Sequence, residues 1–183
     1  MELLPRFRYH PDPVATRMLV PSPRICVVCE QVRGLLYSGV PYSEDRVDQE
    51  SICAWCIADG SAHERIAAEF TNAASIGCGV VGTGPVSMEV TEEIAYRTPG
   101  FSAWQPECWF THCGDGGAFV GAMGRRELVN AGAEAIGAIR ESTGLEGKSW
   151  HEFFAALDAD GSPRAYLFRC LHCGRFGGYT DAD

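Results

Sequence analysis

The spacing of apolar positions along the chain predicts helices in three places. Residues three or four apart form apolar faces over three segments, residues 61–71, 125–140 and 149–158. Ser61 and Ser149 are the expected N-caps of two of these helices. Each has a glutamate three residues later, Glu64 and Glu152, which is the capping-box spacing.

Short apolar and aromatic runs predict strands elsewhere. Residues 165–168 have strand character, and the aromatic stretch 104–120 is expected to contain strands. The breaks in that stretch are expected at Gly114, Gly116 and Gly117. Residues 86–94 fit a strand or a short helix. Five prolines make residues 1–23 an extended arm that packs over the body of the protein.

These elements together predict an α+β fold in one domain, because no repeat or low-complexity linker divides the chain. The expected parts of the single domain 1–183 are an arm (1–23), a metal-binding module (24–71) and an α+β remainder (72–183).

Composition sets the class of protein. The hydrophobic share of 46% is enough for a core, and no apolar run is long enough to cross a membrane. Nine cysteines in 183 residues are many. Their odd number and their spacing argue against a full disulfide framework. We therefore expect a protein of the cytoplasm with no membrane association.

The charge indicates the kind of partner. The chain has 15 lysines and arginines against 24 acidic residues, for a net charge of −9, and no basic run. Nucleic-acid binding needs a basic face, so we expect none. An acidic protein gains faster association with a basic protein, and we expect a protein partner of that kind.

Three Cys-x-x-Cys pairs are the strongest chemical signal, namely Cys26/Cys29, Cys53/Cys56 and Cys170/Cys173. Such a loop directs two thiolates at one ion, and two loops complete a tetrahedral zinc site. The first two pairs are close enough in sequence to form one closed four-cysteine site. An iron–sulfur cluster is the alternative metal centre, and a redox pair is the alternative without metal.

The order of elements around the first two pairs is that of a treble-clef zinc module. A metal knuckle at Cys26–Cys29 precedes a hairpin or loop over residues 32–49. The second pair then leads into the helix expected from Ser61. A closed four-thiolate site has no open coordination position, so we expect a structural role for it.

A second zinc site is expected around the third pair. Cys113 is the third candidate ligand beside Cys170 and Cys173, and His112 heads the candidates for the fourth. Cys108 and Asp115 are the other candidates for that position. Neighbouring side chains of a strand point to opposite faces, so His112 and Cys113 can converge only if the strand breaks there. The alternative is that these cysteines are ordinary core thiols.

No established catalytic motif is present. The chain lacks the nucleophile elbow, the zinc-protease helix motif and the phosphate-binding glycine loop. We therefore expect a protein without catalytic residues. The alternative is a small enzyme of unknown chemistry with a site near His10 and Asp12, or near Asp115.

The chain resembles the CbrC-like family of small bacterial proteins over nearly its whole length. The matching stretches are Phe7-Arg-Tyr-His-Pro-Asp-Pro13, Cys26-x-x-Cys29, Arg33-Gly34, residues 53–62 (Cys-Ala-Trp-Cys-Ile-Ala-Asp-Gly-Ser-Ala), Thr98-Pro-Gly-Phe101, Trp104-Gln105, His112-Cys113-x-Asp115 and Cys170-x-x-Cys173. The resemblance implies one compact unit and a link to colicin tolerance, with a basic toxin domain as the partner. Family members carry a further cysteine where this chain has Gly117.

Overall fold

The computed structural model describes residues 3–43, 46–77 and 84–182. The chain forms two compact units. Unit 1 comprises Met1–Ala74 and Met88–Ser102, and unit 2 comprises Ser75–Ser87 and Ala103–Asp183. The mixed α and β class predicted from the sequence is confirmed. The assignment of the whole chain to a single domain stays a prediction.

Unit 1 is a small sheet surrounded by short helices. Its elements are β1 (Leu19–Pro21), β2 (Leu35–Tyr37), α1 (Ala54–Ala58), α2 (Ser61–Ile66) and α3 (Met88–Arg97), and a 3₁₀ turn lies at Ala73–Ser75. Strands β1 and β2 are antiparallel, with Val20 opposite Leu36. The core includes large side chains from the arm, both strands, two helices and the loop before α1, namely Tyr9, Leu19, Leu36, Ile57, Ile94 and Ile52.

Unit 2 is a four-stranded antiparallel sheet with three helices. The strands are β3 (Thr111–His112), β4 (Asp115–Met123), β5 (Arg164–Cys170) and β6 (Phe176–Asp181), paired in that order. The helices are α4 (Arg125–Ala131), α5 (Ala133–Thr143) and α6 (Gly147–Ala156), all between β4 and β5. The sheet therefore consists of two hairpins, β3–β4 and β5–β6, joined by the β4–β5 ladder.

The core of unit 2 lies between the helices and the sheet. Helix α5 packs on β6, and Leu128, Ile139 and Leu167 are fully buried between them and their neighbours. Close packing at β6 depends on two glycines. A Cβ on Gly178 would collide with the carbonyl oxygen of Tyr166, and one on Gly177 would collide with the ring of Phe110. Side chains at these two positions would push the strand away from its neighbours.

Several predicted helix boundaries are wrong, and backbone geometry explains each error. Gly60, not Ser61, is the N-cap of α2, and the helix stops at Ile66 because Ala67 is left-handed with φ 48°. The helix predicted over residues 125–140 is divided into α4 and α5 by Gly132, which has φ 101°. The N-cap of α6 is Glu146, three residues before the predicted Ser149.

Strand predictions also need correction. Only Gly114 breaks the aromatic stretch, because Gly116 and Gly117 lie inside β4. The described part of residues 32–49 contains the strand β2, which pairs with β1 from the arm and not within a hairpin of its own. Residues 88–97 form α3, which resolves the strand-or-helix alternative in favour of a helix. No helix within the described residues is long and apolar enough to span a lipid bilayer.

Candidate metal centres

The first cysteine pair lies in a tight knuckle of unit 1. The N–H of Cys26 donates to the carbonyl of Gln31 at 2.9 Å, and the N–H of Glu30 donates to the carbonyl of Cys26 at 2.8 Å. Glu30 has φ 57°, the left-handed conformation that lets the chain reverse here. The two bonds close a loop with Cys26 and Cys29 on its inner side.

The second pair lies at the beginning of α1. Cys53 is the N-cap residue with extended backbone, φ −83° and ψ 155°, and Cys56 lies in the first turn. Two contacts bring this helix start to the knuckle. Cys53 forms a bridge with Leu36 of β2, and the N–H of Val27 donates to the carbonyl of Ser51 at 2.9 Å. A knuckle followed by a cysteine pair at a helix start is therefore observed as predicted, but the helix is α1, an additional short helix that precedes the one expected from Ser61.

The four sulfur atoms of this first cluster lie within 4.8 Å of one another. The Sγ atoms of Cys26 and Cys56 are 3.9 Å apart, and so are those of Cys29 and Cys53. Four sulfurs at about 2.3 Å from one zinc ion are separated by roughly 3.8 Å in a tetrahedron. The observed spacing therefore fits a tetrahedral four-thiolate site. Cys26 and Cys53 are fully buried, Cys56 is buried and Cys29 is half-buried.

Hydrogen bonds and burial give the thiols of the first cluster different pKa values. A hydrogen bond from Cys53 lowers the pKa of Cys26 to about 4, and the knuckle amides assist against the opposing effect of burial. The same contact raises the pKa of Cys53, and burial raises that of Cys56 to about 11. Cys26 therefore ionises more readily than Cys53 and Cys56, and metal binding favours the loss of the protons from those two thiols.

A second knuckle connects β5 to β6 in unit 2, and its backbone repeats the first. The N–H of Cys170 donates to the carbonyl of Arg175 at 2.8 Å, and the N–H of Gly174 donates to the carbonyl of Cys170 at 3.1 Å. These are the same sequence offsets as in the first knuckle. Gly174, with φ 75°, occupies the place that Glu30 has there. The third Cys-x-x-Cys pair is therefore a knuckle of the same design.

The other half of the second cluster is the tip of the β3–β4 hairpin. His112 pairs with Asp115 across the hairpin, and the two residues between them, Cys113 and Gly114, have φ 55° and 74°. Two successive positive φ values make this a tight two-residue turn. The strand therefore breaks directly after His112, which satisfies the condition under which His112 and Cys113 converge.

Four side chains meet where the two hairpin loops approach each other. Nδ1 of His112 lies 3.1 Å from Sγ of Cys113 and 3.4 Å from Sγ of Cys173. With Cys170, the four donor atoms lie within 4.8 Å of one another. A zinc ion with one nitrogen and three sulfur ligands separates nitrogen from sulfur by roughly 3.6 Å. This second cluster is far more open, because Cys113 and Cys173 are exposed and only Cys170 is buried.

A pair beside this second cluster was not expected from the sequence. Nε2 of His172, inside the knuckle, lies 2.8 Å from Oδ2 of Asp115, whose side chain is 7% exposed. The contact joins the β5–β6 loop to the hairpin independently of the cysteines. Asp115 was a candidate for the fourth ligand, but in the structure His112 fills the cluster. Cys108 lies outside it, and its backbone N–H donates to the hydroxyl of Tyr179.

Burial also affects the first thiol of the second knuckle. Burial raises the pKa of Cys170, but the backbone amides of Cys173 and His172 outweigh this effect and lower the pKa to about 6. The knuckle amides therefore assist ionisation of the leading cysteine in both clusters, Cys26 in the first and Cys170 in the second.

His10, the other candidate for chemistry, is fully buried in unit 1. Its Nδ1 lies 2.7 Å from the carbonyl oxygen of Pro99 and must donate to it. Nε2 then accepts from the hydroxyl of Thr16, also at 2.7 Å. Burial lowers the pKa of His10 to about 4, against the smaller opposing effects of Pro99 and Asp12. The hydrogen bond between His10 and Pro99 therefore connects the arm to the segment after α3.

Similarity to known proteins covers almost the entire chain. Residues 4–182 match the model of an uncharacterised protein family, UPF0167. The chain is 44% identical over 183 residues to UPF0167 protein Mb2317 of Mycobacterium bovis, covering 97% of this chain and 93% of that protein. It is 38% identical over 172 residues to UPF0167 protein PA1536 of Pseudomonas aeruginosa, covering 94% and 93%. No solved structure matches the chain significantly. The chain therefore belongs to the uncharacterised family UPF0167.

Proposed function

We propose that this protein binds two zinc ions, one at each cluster. The observation that carries the proposal is the convergence of four sulfur or nitrogen donors, within 4.8 Å, at two places in the chain. The donor set also supports zinc. Four thiolates in the first cluster, and three thiolates with one imidazole in the second, suit zinc, whereas magnesium and calcium prefer oxygen ligands.

The two ions would have structural roles of different extent. In unit 1 the ion would be held by four cysteines and would join the knuckle to the first turn of α1. In unit 2 it would be held by Cys113, Cys170, Cys173 and His112, and would join the tips of two hairpins. Four protein ligands complete a tetrahedron at each site, which is the pattern of structural zinc.

Elemental analysis of the purified full chain tests this proposal. We expect two equivalents of zinc per chain and no visible absorption band. Cys53→Ser and Cys113→Ser should each reduce the content to one equivalent, and Cys108→Ser, which alters a thiol outside both clusters, should leave it at two. A metal-free chain, or iron with visible absorption, would contradict the proposal.

We further propose that the protein acts by binding a basic protein, of which a toxin domain is the most specific version. The net charge of −9 supports this proposal through faster association with a basic partner. An apolar groove of about 810 Å³ beside the first knuckle supplies a contact surface. It is lined by Leu3, Leu4, Gln31, Val32, Arg33, Gly34, Leu35 and Trp55. The toxin itself follows only from the CbrC-like resemblance.

Binding to purified basic nuclease domains tests the partner. We expect association that weakens as salt rises and is lost in Val32→Lys, because Val32 is 60% exposed at the groove and a lysine there would repel a basic partner. Val129→Lys is the matched control, since Val129 is 55% exposed on α4 in unit 2. Absence of salt-sensitive binding across such a panel would reject the toxin-domain version.

A second candidate function is catalysis near Asp115. The observation that favours it is the contact between Nε2 of His172 and Oδ2 of Asp115 beside the second cluster, in which the buried carboxylate can orient the imidazole. The four protein ligands leave no open position on the ion for substrate. Asp115→Asn distinguishes a structural role from catalysis near Asp115. A structural role predicts weakened metal retention without loss of any activity, whereas catalysis predicts that an activity is lost.

A further inference from the structure

The two clusters differ most in which sulfur atoms reach solvent. In the first cluster Cys26, Cys53 and Cys56 are all at least 98% buried, and Cys29 is half-buried. In the second, Cys113 and Cys173 are both exposed. Thiolates react with oxidants in proportion to their access and their charge. Among the cysteines that the structure describes, the thiols most accessible to oxidants are therefore those of Cys113 and Cys173 in the second cluster.

The geometry also places these two exposed sulfurs together. Sγ of Cys113 and Sγ of Cys173 both lie within 3.4 Å of one atom, Nδ1 of His112. They come from separate loops, the β3–β4 turn and the β5–β6 knuckle. The two sulfur atoms lie within 4.8 Å of each other, against about 2.05 Å in a disulfide, and both are in loops outside the strand ladders.

We propose that Cys113 and Cys173 form a peroxide-sensitive modification site, and that their oxidation to a disulfide releases zinc from the second cluster. This inference depends on the zinc binding proposed above. One thiolate attacks hydrogen peroxide and breaks the O–O bond, which gives a sulfenic acid and hydroxide. The second thiolate attacks that sulfur, forms the S–S bond and expels a second hydroxide. The two sulfurs lose two electrons and peroxide gains them.

The remaining contacts make the change reversible. After oxidation the ion would retain only His112 and Cys170, too few for tight binding. The loop and the hairpin stay connected by His172 and Asp115, and Gly117 stays paired with Cys170 in the β4–β5 ladder. A thiol reductant together with zinc should therefore restore the site without refolding of the sheet.

Titration of the zinc-loaded full chain with hydrogen peroxide tests the inference. Free zinc is followed with a chromogenic chelator, and disulfides are located by peptide mapping without reduction. We expect one of two zinc equivalents to leave at least about tenfold faster than the other, together with a Cys113–Cys173 disulfide. Dithiothreitol and zinc should reverse both changes. The zinc content before oxidation tests the proposed function separately.

The chain contains its own control in Cys29, the half-buried thiol of the first cluster, which should stay reduced while Cys113 reacts. Cys113→Ser should form no disulfide at Cys173. If that variant loses zinc on purification, the peptide map of the oxidised wild-type chain tests the inference by itself. Equal release from both sites, oxidation of Cys29 at the same rate, or a disulfide between other cysteines would each overturn the inference. So would retention of both zinc equivalents under peroxide.

Discussion

Two knuckles with the same backbone have opposite surroundings in this protein. Both close with the same pair of hydrogen bonds, and both reverse at a left-handed residue, Glu30 in one and Gly174 in the other. The first faces a helix start in the core of unit 1, and the second faces a hairpin tip at the surface of unit 2. The local fold of a knuckle thus determines only two ligands. The partner segment determines whether the site is sealed or open.

Removal of a buried ligand should have the largest effect. Cys53→Ser should eliminate zinc from the first cluster and destabilise unit 1 by on the order of 10 kcal/mol, because the free energy of structural zinc binding is also folding free energy. Zinc analysis combined with thermal denaturation measures both changes. A melting temperature equal to that of the wild type would show that the first knuckle is no more important to its unit than the second.

Removal of an exposed ligand should have a smaller effect. Cys113→Ser should destabilise unit 2 by roughly 5 kcal/mol or less, because the β4–β5 ladder and the contact between Asp115 and His172 do not need the ion. Urea unfolding of this variant beside Cys53→Ser compares the two sites directly. Complete unfolding of Cys113→Ser would contradict the proposed difference between them.

Acid should weaken unit 1 through His10. Its pKa is about 4 in the folded protein against an ordinary 6.5, so between these values the unfolded chain binds a proton that the native state does not. The contribution of neutral His10 to the free energy of unfolding is fully present above pH 6.5. It falls as the pH is lowered to 4, by about 3 kcal/mol in total. Unfolding measured at several pH values should show a shallower loss in His10→Gln.

The matched control for that experiment lies in unit 2. His151 is an exposed residue of α6, so His151→Gln should keep the wild-type dependence on pH. An identical pH profile in His10→Gln and the wild type would show that acid acts on unit 1 through other groups.

The smallest predicted effects test whether the backbones of the two knuckles are equivalent. Gly174→Ala should destabilise the second knuckle by about 1 kcal/mol, because an alanine is strained at a φ of 75°. A methyl group has room at this position, so no steric clash adds to the effect. Glu30→Gly should stabilise the first by a similar amount, since φ is 57° at that residue. Chemical denaturation of both variants gives the two signs, and equal signs would reject the equivalence of the knuckles.

The sequence was most informative where chemistry is local. A Cys-x-x-Cys spacing brings two thiols together both in a knuckle and in the first turn of a helix, so all three pairs were recognised and the eight clustered residues could be named. Helix ends were less predictable, because Ala67 and Gly132 stop helices through backbone conformations that an apolar pattern does not contain. An alanine with positive φ has no signature in sequence, since tertiary contacts impose it.

The contact between His172 and Asp115 was missed for a related reason. The two residues are 57 positions apart, and only the register of β4 against β5 brings them together. The signal that could have found it was the histidine inside the third Cys-x-x-Cys pair. The convergence of His112 with Cys113 depended on a turn of two residues, a condition that could be stated from the sequence but not decided by it.

The spacing of the ligands along the chain also sets an order of assembly. In the first cluster the paired sulfurs are 24 and 30 residues apart, and in the second His112 is 58 residues from Cys170 and 61 from Cys173. Longer loops cost more entropy to close, and non-local strand pairing is slow. On a ribosome, the first site is complete as soon as Cys56 has emerged. The second must wait until α4, α5, α6 and β5 have been made, so a metal ion bound there would report that β5 has paired with β4.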